Sequence, residues 1–99
     1  MAGFEWDLRK EEGNLRRHHL DFTSASLIWA GPVVEKIDDR REYGETRIIA
    51  IGEAGGSIVV VVYTWRGESS RIISARKANS REKSLFAEEI EHQLGTSSD

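Results

Sequence analysis

The chain of 99 residues predicts an α+β fold in the order β-α-α-β-β-β-β-α, an antiparallel meander with helices packed on one side. Three observations carry this. Val59 to Val62 leave both faces of one strand apolar, as a central, covered strand requires. Gly55-Gly56 and Gly67 interrupt β-branched and aromatic runs at hairpin spacing. Asp7, Asp21 and Asn79 each stand where a helical pattern begins, as N-caps do.

The elements follow in order. Phe4-Glu5-Trp6 reads as a short strand with Phe4 and Trp6 on one face. The next segment, LRKEEGNLRRHH, reads as a surface helix burying a thin stripe through Leu8 and Leu15, seven residues apart. Its basic end (Arg16, Arg17, His18, His19) suits the helix C-terminal dipole. Asp21 opens a second helix carrying Phe22, Ala25, Leu27, Ile28 and Trp29, which Gly31-Pro32 stops. Val33 to Ile37 and Arg47 to Gly52 read as strands, separated by a charged connection, and Glu53 to Ser57 as a hairpin turn. Strands over Ile58 to Arg66 and Arg71 to Arg76 follow, joined at Gly67-Glu68-Ser69-Ser70. Asn79 and Glu82 have capping-box spacing for a last helix with Leu85, Phe86, Ile90 and Leu94 on its apolar stripe. Residues 1–94 form one domain, and 95–99 a disordered tail.

Composition bounds the function. A hydrophobic fraction of 38% beside 31% charged residues is that of a globular domain with a busy surface. No cysteine is present, so thiolate metal sites are excluded, and a cytoplasmic location is consistent with this. The N-terminus lacks a signal-peptide pattern, and no apolar run is long enough to span a bilayer. The net charge is −3, but it is unevenly spread. From Ile58 to Ala87, Arg66, Arg71, Arg76, Lys77, Arg81 and Lys83 face only Glu68 and Glu82, while Glu88, Glu89, Glu91 and Asp99 close the chain. A basic patch coexists with an acidic total.

The histidines lack metal-chelating spacing and the glycines lack phosphate-loop spacing, so neither a metal nor another cofactor is expected. What is left is a set of arginine, tyrosine and histidine. Such a set suits transesterification of RNA, in which the 2′-OH loses a proton, the 5′-oxygen gains one, and the phosphorane needs positive charge. Arginine supplies that charge through a planar fork. Each residue also has a structural reading: Tyr63 as a packed aromatic, Arg71 and Arg76 as carboxylate partners, His18 as a helix-end cation. The register of the last hairpin is open. An even loop puts Ser74 and Arg76 on the face of Tyr63 and Trp65, an odd one Arg71 and Ile73.

Several stretches stand in a specific order and spacing: FEWD (4–7), NLRRH (14–18), LDF (20–22), DDRREYGETR (38–47), Gly52, VVYTWRG (61–67), RIISARKA (71–78) and Glu82. In these the sequence resembles the BrnT family of type II toxin–antitoxin systems. The resemblance implies a RelE-like fold and a small ribonuclease that cuts RNA without metal and arrests growth. It also implies a BrnA-like ribbon-helix-helix antitoxin, a heterotetramer with it, and operator DNA bound through that complex. The family's polar positions fall on His18, Arg40, Tyr43, Arg47, Tyr63, Arg71, Ser74, Arg76 and Glu82. From these and the hairpin, His18, Tyr63, Arg71 and Arg76 are the candidate catalytic residues, and Arg40, Arg47, Trp65, Arg66 and Lys77 the candidate RNA contacts. His19 stands where the family usually has glycine. Two other readings compete: a non-catalytic antitoxin-binding co-repressor, and an RNA-binding domain without cleavage.

Overall fold

The computed structural model describes residues 3–96, with side chains through residue 93. The elements are β1 (Phe4–Trp6), α1 (Leu8–His18), α2 (Phe22–Ala25) running on as a 3-10 turn over Ser26–Ala30, β2 (Val33–Ile37), β3 (Ile48–Ala54), β4 (Ser57–Arg66), β5 (Ser69–Lys77) and α3 (Ser80–Thr96). This is the expected order. The helix α3 reaches into the segment read as a tail, and 97–99 lie outside the described residues. No helix among the described residues is long and apolar enough to cross a membrane.

The five strands lie in the order β1-β5-β4-β3-β2. The meander from β2 to β5 is antiparallel, as expected, and β4 is central with Val59 to Val62 all buried. Two expectations need correction. The sheet is mixed, because β1 pairs with β5 in parallel: the chain returns to it through a long connection, not a hairpin. The helices also lie on both faces, not one, because a strand apolar on both sides must be covered on both. On one face Phe22, Ala25 and Ile28 pack against Ala50, Val59, Val61, Tyr63, Ile72 and Ala75. On the other, Phe86 of α3 packs with Ile49, Ile51, Ile58, Val60 and Ala78.

Local chemistry explains the boundaries. Asp7 accepts from the amides of Arg9 and Lys10, and Asp21 from that of Ser24, satisfying orphan donors of α1 and α2. The carboxyls of Asp7 and Asp21 both lie below their ordinary range, chiefly through hydrogen bonds from those same partners. The β3–β4 turn is Gly55-Gly56, both at positive φ (58° and 83°), as a two-residue hairpin of this hand needs. Gly52 allows close approach of layers: a Cβ there would sit 2.7 Å from Cβ of Ile28.

The α1 stripe is not the expected one. Leu8 and Leu15 are exposed, and the buried residues are Gly13 and Asn14. The side chain of Asn14 donates to the carbonyl of Ala75 (2.7 Å) and accepts from its amide (3.1 Å). β1 pairs only with Ser70 to Ile72, so beyond it the amide side chain takes the place of a sixth strand on the outer edge of β5.

Candidate active site

Lateral rows across the sheet build a cleft. On the face that α3 covers only in part, Arg76 lies opposite Val60, then Ile51, then Val34; in the next row come Ser74, Val62, Ile49 and Lys36. All eight line a cleft of about 650 Å³, and Val34, Ile49, Ile51, Val60 and Val62 are its apolar floor. Its walls are His18 at the end of α1, Arg40 from the loop after β2, and Glu82, Leu85 and Glu89 of α3. An apolar floor thus carries a rim of His18, Lys36, Arg40 and Arg76, with Glu82 set against them.

A β-bulge makes this arrangement. The β4–β5 turn has two residues, Gly67 and Glu68, and pairs Arg66 with Ser69 and Tyr63 with Ile72. Continued without a break, that register would put Ser74 and Arg76 beside Tyr63. The ladder shifts between Val62 and Tyr63, leaving Ile73 unpaired and moving Ser74 and Arg76 to the opposite face. Arg71, beyond the bulge, stays opposite Thr64 and therefore shares the cleft's face.

The charged groups hold one another. Arg76 meets Glu82 through two parallel bonds of 2.7 Å each. Glu82 also accepts from the amide of Asn79 (2.9 Å), while the Asn79 side chain accepts from the amide of Glu82 (2.8 Å), which completes the expected capping box. The guanidinium keeps the Glu82 carboxyl below its ordinary range, and Lys36 adds to this. Glu82 in turn raises the pKa of Arg76, while Arg40 opposes it, so both outer cations act on the pair. Arg40 is fixed by Asp38, whose side chain is 1% exposed and which also accepts from the Tyr43 hydroxyl. The Arg40 hydrogen bonds, led by those of its side chain, hold the Asp38 carboxyl far below the ordinary carboxylate range.

Of the sequence candidates, His18, Arg40 and Arg76 meet in this cleft. Arg71 lies on the same face, paired with Glu5 (2.7 Å), outside the cleft lining. Arg47 pairs with Glu45 and lies over the Tyr43 ring at 4.1 Å. Arg66 reaches Glu45 at 3.6 Å, and Lys77 is exposed at the end of β5. Tyr63 is not brought to the cleft. It is buried on the opposite face, its hydroxyl donating to Glu35 (2.7 Å), and burial followed by that bond pushes the phenol well above its ordinary value. Trp65 shares Tyr63's face. Sequence reasoning missed Lys36 and Asn14. Lys36 had a signal, since Val34 and Lys36 stand at period two and must share a face; Asn14 had none, because its partner is 61 residues away.

The comparisons with known proteins bear on this geometry. The family model described as "Ribonuclease toxin, BrnT, of type II toxin-antitoxin system" matches residues 6–82. The chain belongs to the BrnT family. Among solved structures, the crystal structure of the Brucella abortus ribonuclease toxin, BrnT, is similar, with a TM-score of 0.60 and 26% identity over 81% of this chain and all of that one. A comparison with curated proteins finds no match. BrnT proteins are ribonuclease toxins of type II toxin–antitoxin systems, which implies a cognate antitoxin for this chain. The BrnT match includes every cleft residue except Leu85 and Glu89, which lie on the part of α3 beyond it.

Proposed function

We propose that this BrnT-family chain is a metal-independent endoribonuclease of RelE-like type that arrests growth from the cytoplasm, and that the cleft is its active site. The observation that carries the reading is the convergence of His18, Arg40, Ser74, Arg76 and Glu82, from four separate segments, on one apolar floor. In the proposed reaction the 2′-oxygen bonds to the adjacent phosphorus and the bond from phosphorus to the 5′-oxygen breaks. His18 takes the 2′-OH proton, and solvent protonates the departing 5′-oxygen. Arg76 and Arg40 hold the charge of the phosphorane, with Lys36 beside them. Glu82, ionised and acceptor-only, orients the Arg76 fork. Proton transfer falls to His18, since Tyr63 faces the other side of the sheet. Arg71 extends the cationic track for the RNA backbone.

The partner in this reading is a BrnA-like ribbon-helix-helix antitoxin, which forms a heterotetramer with the toxin and carries it to operator DNA. The pairing of both Arg76 terminal nitrogens with Glu82 favours a second reading, in which the cleft is neutralised and the chain serves as a co-repressor.

The test is cleavage of labelled total RNA in excess EDTA by the wild-type chain, Arg76→Ala and His18→Gln, with urea unfolding to establish that each is folded. Wild type should cut. Arg76→Ala should lose about 10²–10³-fold, as removal of a transition-state donor does, and His18→Gln about 10²–10⁴-fold, as loss of a proton-transfer group does. Cutting by folded Arg76→Ala at the wild-type rate would show that Arg76 is not in the site. A wild-type chain that binds its antitoxin and leaves RNA whole would favour the co-repressor.

A further inference from the structure

The sheet's other face holds a second recess, of about 420 Å³, at the β4–β5 hairpin end. Phe4, Ser70 and Trp65 lie in one lateral row across β1, β5 and β4, and Tyr63, Glu35 and Trp29 are among the other lining residues. Its walls are aromatic. Phe4 stacks on Trp29 at 4.8 Å, Trp29 meets Tyr63 edge-on at 5.4 Å, and Tyr63 meets Trp65 edge-on at 5.9 Å. Trp65 is nonetheless 52% exposed, a large flat surface with no cover.

Two polar groups open into this recess. The Tyr63 hydroxyl fixes one oxygen of the Glu35 carboxylate, and the other oxygen has no partner among the described residues. The Ser70 residue is only 6% exposed, its amide is taken by the carbonyl of Gly3, and its hydroxyl has no partner among the described residues. No cation lines the recess, so it does not suit a phosphate. It suits a flat ring that presents N–H groups to a carboxylate and an acceptor to a hydroxyl.

We propose that this recess is a nucleobase site for the RNA substrate and that it selects guanine, an inference that rests on the ribonuclease reading. Guanine alone among the four bases offers two adjacent donors, N1–H and N2–H, on its pairing edge, which a carboxylate receives as a fork. Its O6 is the acceptor that the Ser70 hydroxyl meets, and its ring stacks on Trp65. Adenine and cytosine offer Glu35 only an amino group. Uracil offers a single N–H between two carbonyls that the carboxylate repels. Glu35 and Lys36 are neighbours on β2, an edge strand, and point to opposite faces. An RNA whose phosphate lies in the cleft by Lys36 therefore reaches the recess by passing over that edge.

The test is titration of the ¹⁵N-labelled full chain with free guanosine, cytidine and uridine, which lack phosphate and so do not engage the cleft. Guanosine should shift the Trp65 indole and Ser70 amide resonances, cytidine more weakly, and uridine not at all. Glu35→Gln keeps an acceptor for the Tyr63 hydroxyl and should weaken guanosine about 10–100-fold, the equivalent of one bidentate base contact. In the RNA digest, the cuts that Glu35→Gln makes should lose their preference for guanine beside the cut. Guanosine binding without any RNA cleavage would uphold the site and overturn the ribonuclease reading alone. Equal response to all three nucleosides, or unchanged guanosine affinity in Glu35→Gln, would overturn the site. So would a Trp65→Ala chain that loses its antitoxin but binds guanosine as before.

Discussion

The two faces of the sheet share the same strands and differ in what covers them. The face of Val59, Val61 and Tyr63 is sealed by α2 and its 3-10 extension over most of its length, and opens only at the hairpin end, in the recess beside Trp65. The face of Val60 and Val62 is covered by Phe86 of α3 over one end only, so the rest of its apolar floor lies open beneath charged side chains. A strand that is apolar on both sides can thus be core on one and cleft on the other. The choice is made by neighbouring helices, and the side chains of β5 are assigned to one face or the other by a single inserted residue.

The strongest way to break the distinction is to put a charge on the sealed face. Val61→Asp would place an unpaired carboxylate in the core between Ala50 and Ala75. It should cost at least about 4 kcal/mol, the range of severe core lesions, and abolish RNA cleavage; urea unfolding and the RNA digest read the two effects. A milder attack on the sealed face is Gly52→Ala. The new methyl would meet Cβ of Ile28 at 2.7 Å, and overpacking of this kind costs about 1–3 kcal/mol in the same unfolding measurement.

The open face can be probed by pH. Glu82 has a folded pKa below its ordinary value of 4.5, chiefly through the Arg76 fork. Its contribution to stability is therefore full above 4.5 and is lost as the pH falls through the lower folded value. Asp38, held down by Arg40, behaves in the same direction over a more acidic span. Glu82→Gln keeps the capping box but not the charge, so its unfolding free energy should fall less steeply than the wild type's below about pH 4.5. An equally steep fall would mean that the pair adds nothing to stability.

The smallest effect concerns the turn that presents His18. His19 caps α1 in the left-handed region (φ 56°), its amide bonded to the carbonyl of Leu15. Glycine enters that region without the Cβ penalty, so His19→Gly should stabilise the chain by about 1 kcal/mol. Cleavage should be unchanged, which would separate the cap's cost from any part in the chemistry.

Much of this was legible beforehand. Capping residues, adjacent glycines and the valine run act locally, through φ preferences, orphan amides and side-chain period, so the sequence by itself determined the element order, the central strand and its hairpins. It also put His18, Arg40 and Arg76 among the candidates. Three things were decided only by the tertiary structure. The parallel pairing of the three-residue β1 depends on a strand 66 positions away and leaves no local pattern. The burial of Asn14 in place of Leu8 and Leu15 reflects an edge of β5 that no single segment reveals. The bulge at Ile73 sits between residues equally content on either face, and Ile72-Ile73 reads the same with or without it. That slip separated Tyr63 from Arg76, because side-chain direction in a sheet alternates with every residue and one extra residue reverses all that follow.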